Sequence, residues 1–292
     1  MNDPRTAVLV TPDELATDLG LGGPDPTPGV PVVLDVRWAL AAAGQTFDGR
    51  AHYLLGHVPG AVFADMETEL AAEPSPTAGR HPLPSTAQLQ TAARRWGVRD
   101  DSRVVVYDAT GGMAAARAWW LLRYFGLRDV RILDGGLPAW TRAGHPLEVD
   151  DVEAEPGDVV LSHGHLPTLD ASGAAALAAG DAGVLLDARA GERYRGETEP
   201  IDPRAGHIPG AVSAPTSDNL APDGTFLPTA QLRERFAALG VGGGRVGVYC
   251  GSGVTAAHEA AALAAAGIEA ALYPGSWSQW SNDPSRPVAT GA

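Results

Sequence analysis

Short apolar runs punctuate this chain: Val30-Pro-Val-Val-Leu34, Val104-Val-Val-Tyr107, Val130-Arg-Ile-Leu133, Val184-Leu-Leu186 and Val246-Gly-Val-Tyr249. Between them lie longer stretches of helical character, over residues 86–96, 114–125, 230–239 and 255–266. A run that is apolar at nearly every position has no polar face to show to water, so both its faces are buried. Alternation of such runs with helices predicts an α/β fold in which parallel sheets carry helices on both faces. In sheets of this kind ligands bind beyond the carboxyl ends of the strands.

The same pattern is written twice. Leu34-Asp-Val-Arg37 returns as Leu186-Asp-Ala-Arg189, and Gly56-His-Val-Pro-Gly-Ala-Val62 returns as Gly206-His-Ile-Pro-Gly-Ala-Val212. Val104-Val-Val-Tyr-Asp-Ala-Thr-Gly-Gly112 matches Val246-Gly-Val-Tyr-Cys-Gly-Ser-Gly-Val254. Leu133-Asp-Gly-Gly-Leu-Pro-Ala-Trp140 loosely matches Leu272-Tyr-Pro-Gly-Ser-Trp-Ser-Gln-Trp280. Two copies at this long period mean tandem modules, since solenoid repeats are shorter and more numerous. The acidic stretch ending in Pro156-Gly157 is a natural joint. The expected division is therefore residues 1–150, a linker over 148–163, and residues 164–292.

Composition narrows the chemistry. A formal charge of −14 with no basic run argues against nucleic acid and acidic membranes as partners. All 21 basic residues are arginine, which excludes lysine Schiff bases and lysine-containing phosphate loops. A single cysteine excludes an internal disulfide and a multi-thiolate zinc site. His163 and His165 lie close together without further ligands, and no metal or cofactor is expected. No apolar run approaches a membrane span and the first six residues lack a charged, apolar leader, so a cytoplasmic location is expected.

That one cysteine, Cys250, ends an apolar strand and opens the small-residue loop Cys250-Gly-Ser-Gly-Val-Thr-Ala256 ahead of a helix. A thiol at a strand-to-helix junction faces the positive end of the helix dipole and main-chain N–H groups, which favour the thiolate. Gly251 and Gly253 let the backbone curl, while Ser252 and Thr255 add hydroxyls. The loop reads as an anion cradle with a nucleophile on its floor, ringed by main-chain donors. The alternative is a buried cysteine acting only as a small core hydrophobe.

The paired Gly-His-x-Pro-Gly-Ala motifs, the Leu-Asp-x-Arg strands, the cysteine loop and the terminal Gly275-Ser-Trp-Ser-Gln-Trp280 resemble the two-domain sulfurtransferases built from tandem rhodanese modules. The resemblance runs over nearly the whole chain. It implies a catalytic second module and a silent first one, in which Asp108 stands at the cysteine position and cannot form a persulfide. The loop is most similar to that of 3-mercaptopyruvate sulfurtransferases, because thiosulfate-using relatives place basic residues just after the cysteine. Here Gly251 and Ser252 are neutral, which suits a monocarboxylate keto acid held by N–H groups and hydroxyls.

The resemblance assigns catalysis to Cys250 and Ser252. It assigns substrate binding to Arg193, Arg204, Gly251, Gly253, Val254 and Thr255. The competing expectation for Arg193 and Arg195 is a surface ion pair with Glu192, Glu197 or Glu199. Asp48, His57 and Ser252 are the nearest matches to a proton relay discussed for related enzymes. His57 and His207, equivalent in the two motifs, are instead expected to bond within their own turns. Trp38 and the loop from Arg37 to His57 are expected to reach toward the second module and wall its cleft.

The implied reaction moves sulfur from 3-mercaptopyruvate, or alternatively thiosulfate, through a Cys250 persulfide to an outside thiol, thioredoxin or cyanide. Two rival readings compete with it. A phosphatase of the same fold needs an arginine six positions after its cysteine, where this chain has Ala256, and a loop one residue longer. A non-catalytic persulfide carrier is separable only by turnover.

Overall fold

The computed structural model describes residues 3–21, 29–40, 47–180 and 182–292. In the first half five strands occur: β1 (Leu9–Val10), β2 (Val32–Asp35), β3 (Val62–Phe63), β4 (Val104–Tyr107) and β5 (Val130–Leu133). They form one parallel sheet in the order β1-β5-β4-β2-β3. With them come α1 (Pro12–Asp18), α2 (Gly49–Leu54), α3 (Thr86–Arg95), α4 (Ala115–Tyr124) and α5 (Gly136–Arg142). The second half adds α6 (Ala171–Ala179), β6 (Gly183–Asp187), α7 (Gly191–Tyr194) and β7 (Val212–Ser213). It continues with α8 (Thr229–Ala238), β8 (Arg245–Tyr249), α9 (Thr255–Ala265), β9 (Ala271–Leu272) and α10 (Ser276–Trp280). Its parallel sheet runs β7-β6-β8-β9, the order β3-β2-β4-β5 over again. A lone parallel bridge between Thr168 and Leu272 stands where β1 pairs β5 in the first sheet.

The repeated words of the sequence occupy the same register in both sheets. Leu34 and Asp35 pair with Val106 and Tyr107, and Leu186 and Asp187 pair with Val248 and Tyr249. All four residues of β4 are buried, as expected of a central strand covered on both faces. Around them Val105, Tyr107, Leu133 and Trp140 build one core, and Leu185, Tyr249, Tyr273 and Trp280 build the other.

The Asp-x-Arg repeat turns out to be architectural. Arg37 donates from Nε and Nη2 to the two oxygens of Asp35, at 3.1 and 2.7 Å, and from Nη2 to the Gly56 carbonyl at 3.0 Å. Arg189 does the same with Asp187 and the Gly206 carbonyl. Each buried, forked ion pair thereby pins a Gly-His-x-Pro-Gly turn to the strand end. The histidines stack on tyrosines, His57 on Tyr53 and His207 on Tyr194, at centroid distances of 3.9 and 3.8 Å. Each Nδ1 bonds the carbonyl of that tyrosine, which lies four residues back in α2 for His57 and thirteen back at the end of α7 for His207, so both rings are held by the preceding helix and not within their own turns.

The two compact units of the fold are not the two halves of the sequence. Residues 71–83 belong with the second unit and residues 221–226 with the first, which otherwise extends to His165. The stretch read as a linker is packed rather than free: Gly157 and Val159 donate their N–H groups to the Arg94 and Val98 carbonyls. Among the described residues no helix is long and apolar enough to cross a membrane.

Candidate active site

Cys250 follows the last residue of β8, at the carboxyl end of the sheet, and is 1% exposed. Strand β8 is apolar because it is central, and α9 begins five residues later because two glycines permit a tight return. Gly253 takes φ of +82°, a conformation that a side chain would resist. Its N–H reaches Cys250 Sγ at 3.1 Å. Among the described residues this is the one donor bonded to the sulfur, so the expected ring of N–H groups shrinks there to a single contact. Helix α9 starts at Val254 and Thr255 without a side-chain cap, which leaves its first N–H groups facing the loop.

The floor is fixed from behind by the α10 segment. Ser276 Oγ accepts the Cys250 N–H at 3.2 Å, Trp277 N–H reaches the Cys250 carbonyl at 2.9 Å, and Ser278 N–H reaches the Gly251 carbonyl at 2.8 Å. Sequence reading missed Ser276, although its place in the repeat, opposite a glycine of the first copy, was visible.

Ser252 is buried, and its hydroxyl lies 2.7 Å from His81 Nδ1. The histidine that meets the loop serine is thus His81, carried on the 71–83 segment, and not His57. Asp48 spends its carboxylate capping α2 at Ala51 N–H, and His57 is held by the Tyr53 carbonyl of α2 with Nε2 3.9 Å from Glu148. His81 sits outside every repeated block, so the periodicity that organised the rest of the chain gave it no signal. Of the wall expected from the first module, residues 41–46 lie outside the described residues, and Trp38 bonds Glu67 by its indole N–H.

The charged residues around the loop form an alternating ladder. Arg189 holds Asp187 and touches Glu199 at 3.4 Å; Glu199 accepts from Arg193 Nη2 at 2.6 Å; Asp202 lies 3.4 Å from the same Nη2 and accepts from Arg80 Nη1 at 2.5 Å. Burial pushes the Asp202 carboxyl up, against the opposing pull of Arg80 and Arg193. Arg193 therefore does pair with Glu199, one of the expected acids, but in a largely buried setting, whereas Arg195 pairs with Glu197 in the open.

Two nitrogens of the ladder point at the loop. A β-carbon placed on Gly251 would lie 3.1 Å from Arg80 Nη2 and 3.5 Å from Arg193 Nη1. Arg204 is not among them. Its Nε, Nη1 and Nη2 donate to the Ser281, Arg286, Trp280 and Asp283 carbonyls, so it ties down the C-terminal segment. The short stretch between Arg204 and Gly206 leaves it beside the pinned turn, which explains the changed role. His163 and His165 find hydroxyl partners in Thr86 and Ser162.

A Rhodanese-like domain model matches residues 11–143 and again residues 171–283. This chain belongs to the rhodanese-like sulfurtransferases. It is 50% identical over 98% of both chains to SseB of Mycobacterium tuberculosis, provisionally named a thiosulfate sulfurtransferase. It is 36% identical to the Escherichia coli 3-mercaptopyruvate sulfurtransferase, over 88% of this chain and 91% of that one. The crystal structure of SseA from Escherichia coli, described as a 3-mercaptopyruvate sulfotransferase of the rhodanese fold, superposes with a TM-score of 0.79. The match has 34% identity and covers 92% of this chain and 98% of that one. Tandem rhodanese modules are thereby the fold of this chain, as its repeat predicted.

Proposed function

We propose that this sulfurtransferase takes sulfur from 3-mercaptopyruvate onto Cys250 and passes it to an external thiol, thioredoxin or cyanide. The observation that carries the reading is the meeting, on one loop, of the lone thiol, a serine hydroxyl bonded to a histidine, and a guanidinium beside a neutral glycine. The Cys250 thiolate attacks the donor sulfur. A sulfur–sulfur bond forms as the carbon–sulfur bond breaks, and its electron pair passes into the enolate of pyruvate. Ser252, bonded to His81, stands ready to deliver the proton that converts the enolate to pyruvate. Arg193 and the N–H groups at the start of α9 hold the donor carboxylate and ketone.

In the second step the acceptor attacks the outer sulfur, the sulfur–sulfur bond breaks, and its electron pair returns to Cys250. With one cysteine in the chain the persulfide is not resolved as an internal disulfide, so the acceptor comes from outside. A cytoplasmic setting, which keeps thiols reduced, suits such a site.

Cys250→Ser is expected to abolish turnover, and mass spectrometry of the donor-treated protein is expected to show one added sulfur atom on Cys250. Retained transfer by the variant, or an unmodified Cys250, would sink the reading. A carrier without turnover would load once and stall in the presence of a small thiol. Thiosulfate is the second reading, favoured by the guanidinium of Arg80 near Gly251 and by the name of the Mycobacterium tuberculosis relative. Side-by-side kcat/KM values for the two donors decide between them.

A further inference from the structure

We infer that Arg80 is the second donor-binding residue of this site and its specificity determinant, filling the role that the sequence assigned to Arg204. The inference rests on the sulfurtransferase reading above. Arg80 uses Nη1 on Asp202, while its Nε is buried without a hydrogen-bond partner and its Nη2 bonds no described residue. Arg193 likewise spends Nη2 on Glu199 and Asp202, leaving its Nε buried without a partner and its Nη1 unbonded among the described residues. The two uncommitted Nη groups are the two nearest Gly251, next to the nucleophile, with the committed Arg193 Nη2 behind them at 3.8 Å.

Such an arrangement is costly unless something completes it. Two like charges are drawn together by Asp202, which lies between them, and buried guanidinium N–H groups are left without acceptors. An anion seated over Gly251 meets Arg80 Nη2 and Arg193 Nη1 and sits beside the sulfur that Cys250 attacks. Gly251 is the opening: a side chain there would crowd Arg80 Nη2 at 3.1 Å. The cations that a neutral Gly-Ser pair lacks are supplied by the 71–83 segment and by α7. Arg80 also lines a cavity of about 390 Å³ with Asp202, Ser278 and Asn282. A second guanidinium serves a dianion more than a monocarboxylate, so Arg80 sets how well thiosulfate competes with mercaptopyruvate.

The test is steady-state kinetics of the full chain with both donors, for the wild type, Arg80→Met, Arg80→Lys and Gly251→Ala. Arg80→Met is expected to lower kcat/KM for mercaptopyruvate by about 10- to 100-fold, the loss of a charge-assisted hydrogen bond, and for thiosulfate by more. Arg80→Lys is expected to recover most of the loss, which a purely structural defect would not, and Gly251→Ala to impair both donors. Equal kcat/KM for Arg80→Met and wild type, or a loss that is the same for both donors and unrelieved by lysine, overturns the inference. If the wild type itself loads no sulfur from either donor, the functional reading fails instead. Inorganic sulfate binding, expected in the wild type and weakened in Arg80→Met, then still reports on the seat; equal binding by the two overturns it.

Discussion

The loops after β4 and β8 close equivalent strands of the two sheets, and each is shaped to hold negative charge. They differ in where that charge comes from. In the first, Asp108 turns its own carboxylate inward: Oδ1 accepts from Thr110 and Gly112 N–H at 2.8 Å each, and Oδ2 from Ala114 and Ala115 at 2.7 and 3.0 Å. The following helix begins seven residues after Asp108, and the extra length wraps the loop around that carboxylate. In the second, the helix begins five residues after Cys250, and the sulfur takes one N–H. The first cradle is filled from within by a carboxylate, which cannot form a persulfide, and that carboxylate acts as a structural plug; the second is floored by a thiol that takes up only one N–H group.

The largest effect that this contrast predicts is on stability. Asp108→Ala leaves four N–H groups without their acceptor, three of them buried and each of those worth about 1–3 kcal/mol when orphaned. A loss of roughly 4 kcal/mol or more in chemical denaturation is expected, against about 1–2 kcal/mol for Cys250→Ala, which frees one N–H and removes a small buried group. Similar losses in the two variants would break the comparison.

The helices that follow the loops also bury opposite charges, Arg117 in α4 and Glu259 in α9. Glu259 is wholly enclosed, with Asn219 donating to it at 2.6 Å and the Arg235 guanidinium 3.8 Å away, beyond hydrogen-bond distance. Burial lifts its carboxyl from 4.5 to about 7, against the pull of Arg235 and Asn219. A carboxyl raised by folding holds its proton more tightly in the folded state. Stability is therefore fullest below about pH 4.5, falls as the pH rises toward 7 and levels off above, by roughly 3 kcal/mol from this group. Glu259→Gln keeps an acceptor for Asn219 and is expected to remove that slope, making the variant the more stable protein at pH 8. Urea midpoints of the two proteins that run parallel from pH 5 to 8 would discard the argument.

What was legible in the sequence was whatever the repeat or the apolar pattern recorded. β4 and β5 match their predicted runs, and α3, α4, α8 and α9 fall within a residue or so of their predicted spans, because central strands and amphipathic helices must write burial into composition. The two-residue strands β1, β3, β7 and β9 carry too few positions for any period to register. The site divides the same way. Cys250, Ser252 and Arg193 lie in motifs that a sequence displays, while Arg80 and His81 come from residues 71–83, which pack with the second unit although more than a hundred residues separate them from the cysteine loop. A motif fixes order along the chain and not where a side chain ends up: that of Arg204 is taken up by nearby carbonyls.

The smallest predicted effect concerns a pair of equivalent turns. Leu137 N–H bonds the Asp108 carbonyl at 2.8 Å just as Trp277 N–H bonds that of Cys250, and the preceding residues, Gly136 and Ser276, both have positive φ, +58° and +52°. Ser276 is the one non-glycine with positive φ among the described residues. A serine there carries strain of order 1–3 kcal/mol, and what it gains is an Oγ that accepts the Cys250 N–H while donating to the Tyr273 carbonyl at 2.8 Å. Ser276→Gly relieves the strain but surrenders both bonds, so stability is expected to change by no more than about 1 kcal/mol. Ser276→Ala keeps the strain without the bonds and is expected to cost about 1–2 kcal/mol. On the proposed mechanism both variants are expected to slow persulfide formation, because the Cys250 N–H loses its acceptor. A Ser276→Gly protein that loads sulfur at the wild-type rate would show that the strained serine has no part in positioning Cys250 and that the glycine of the first module would have served as well.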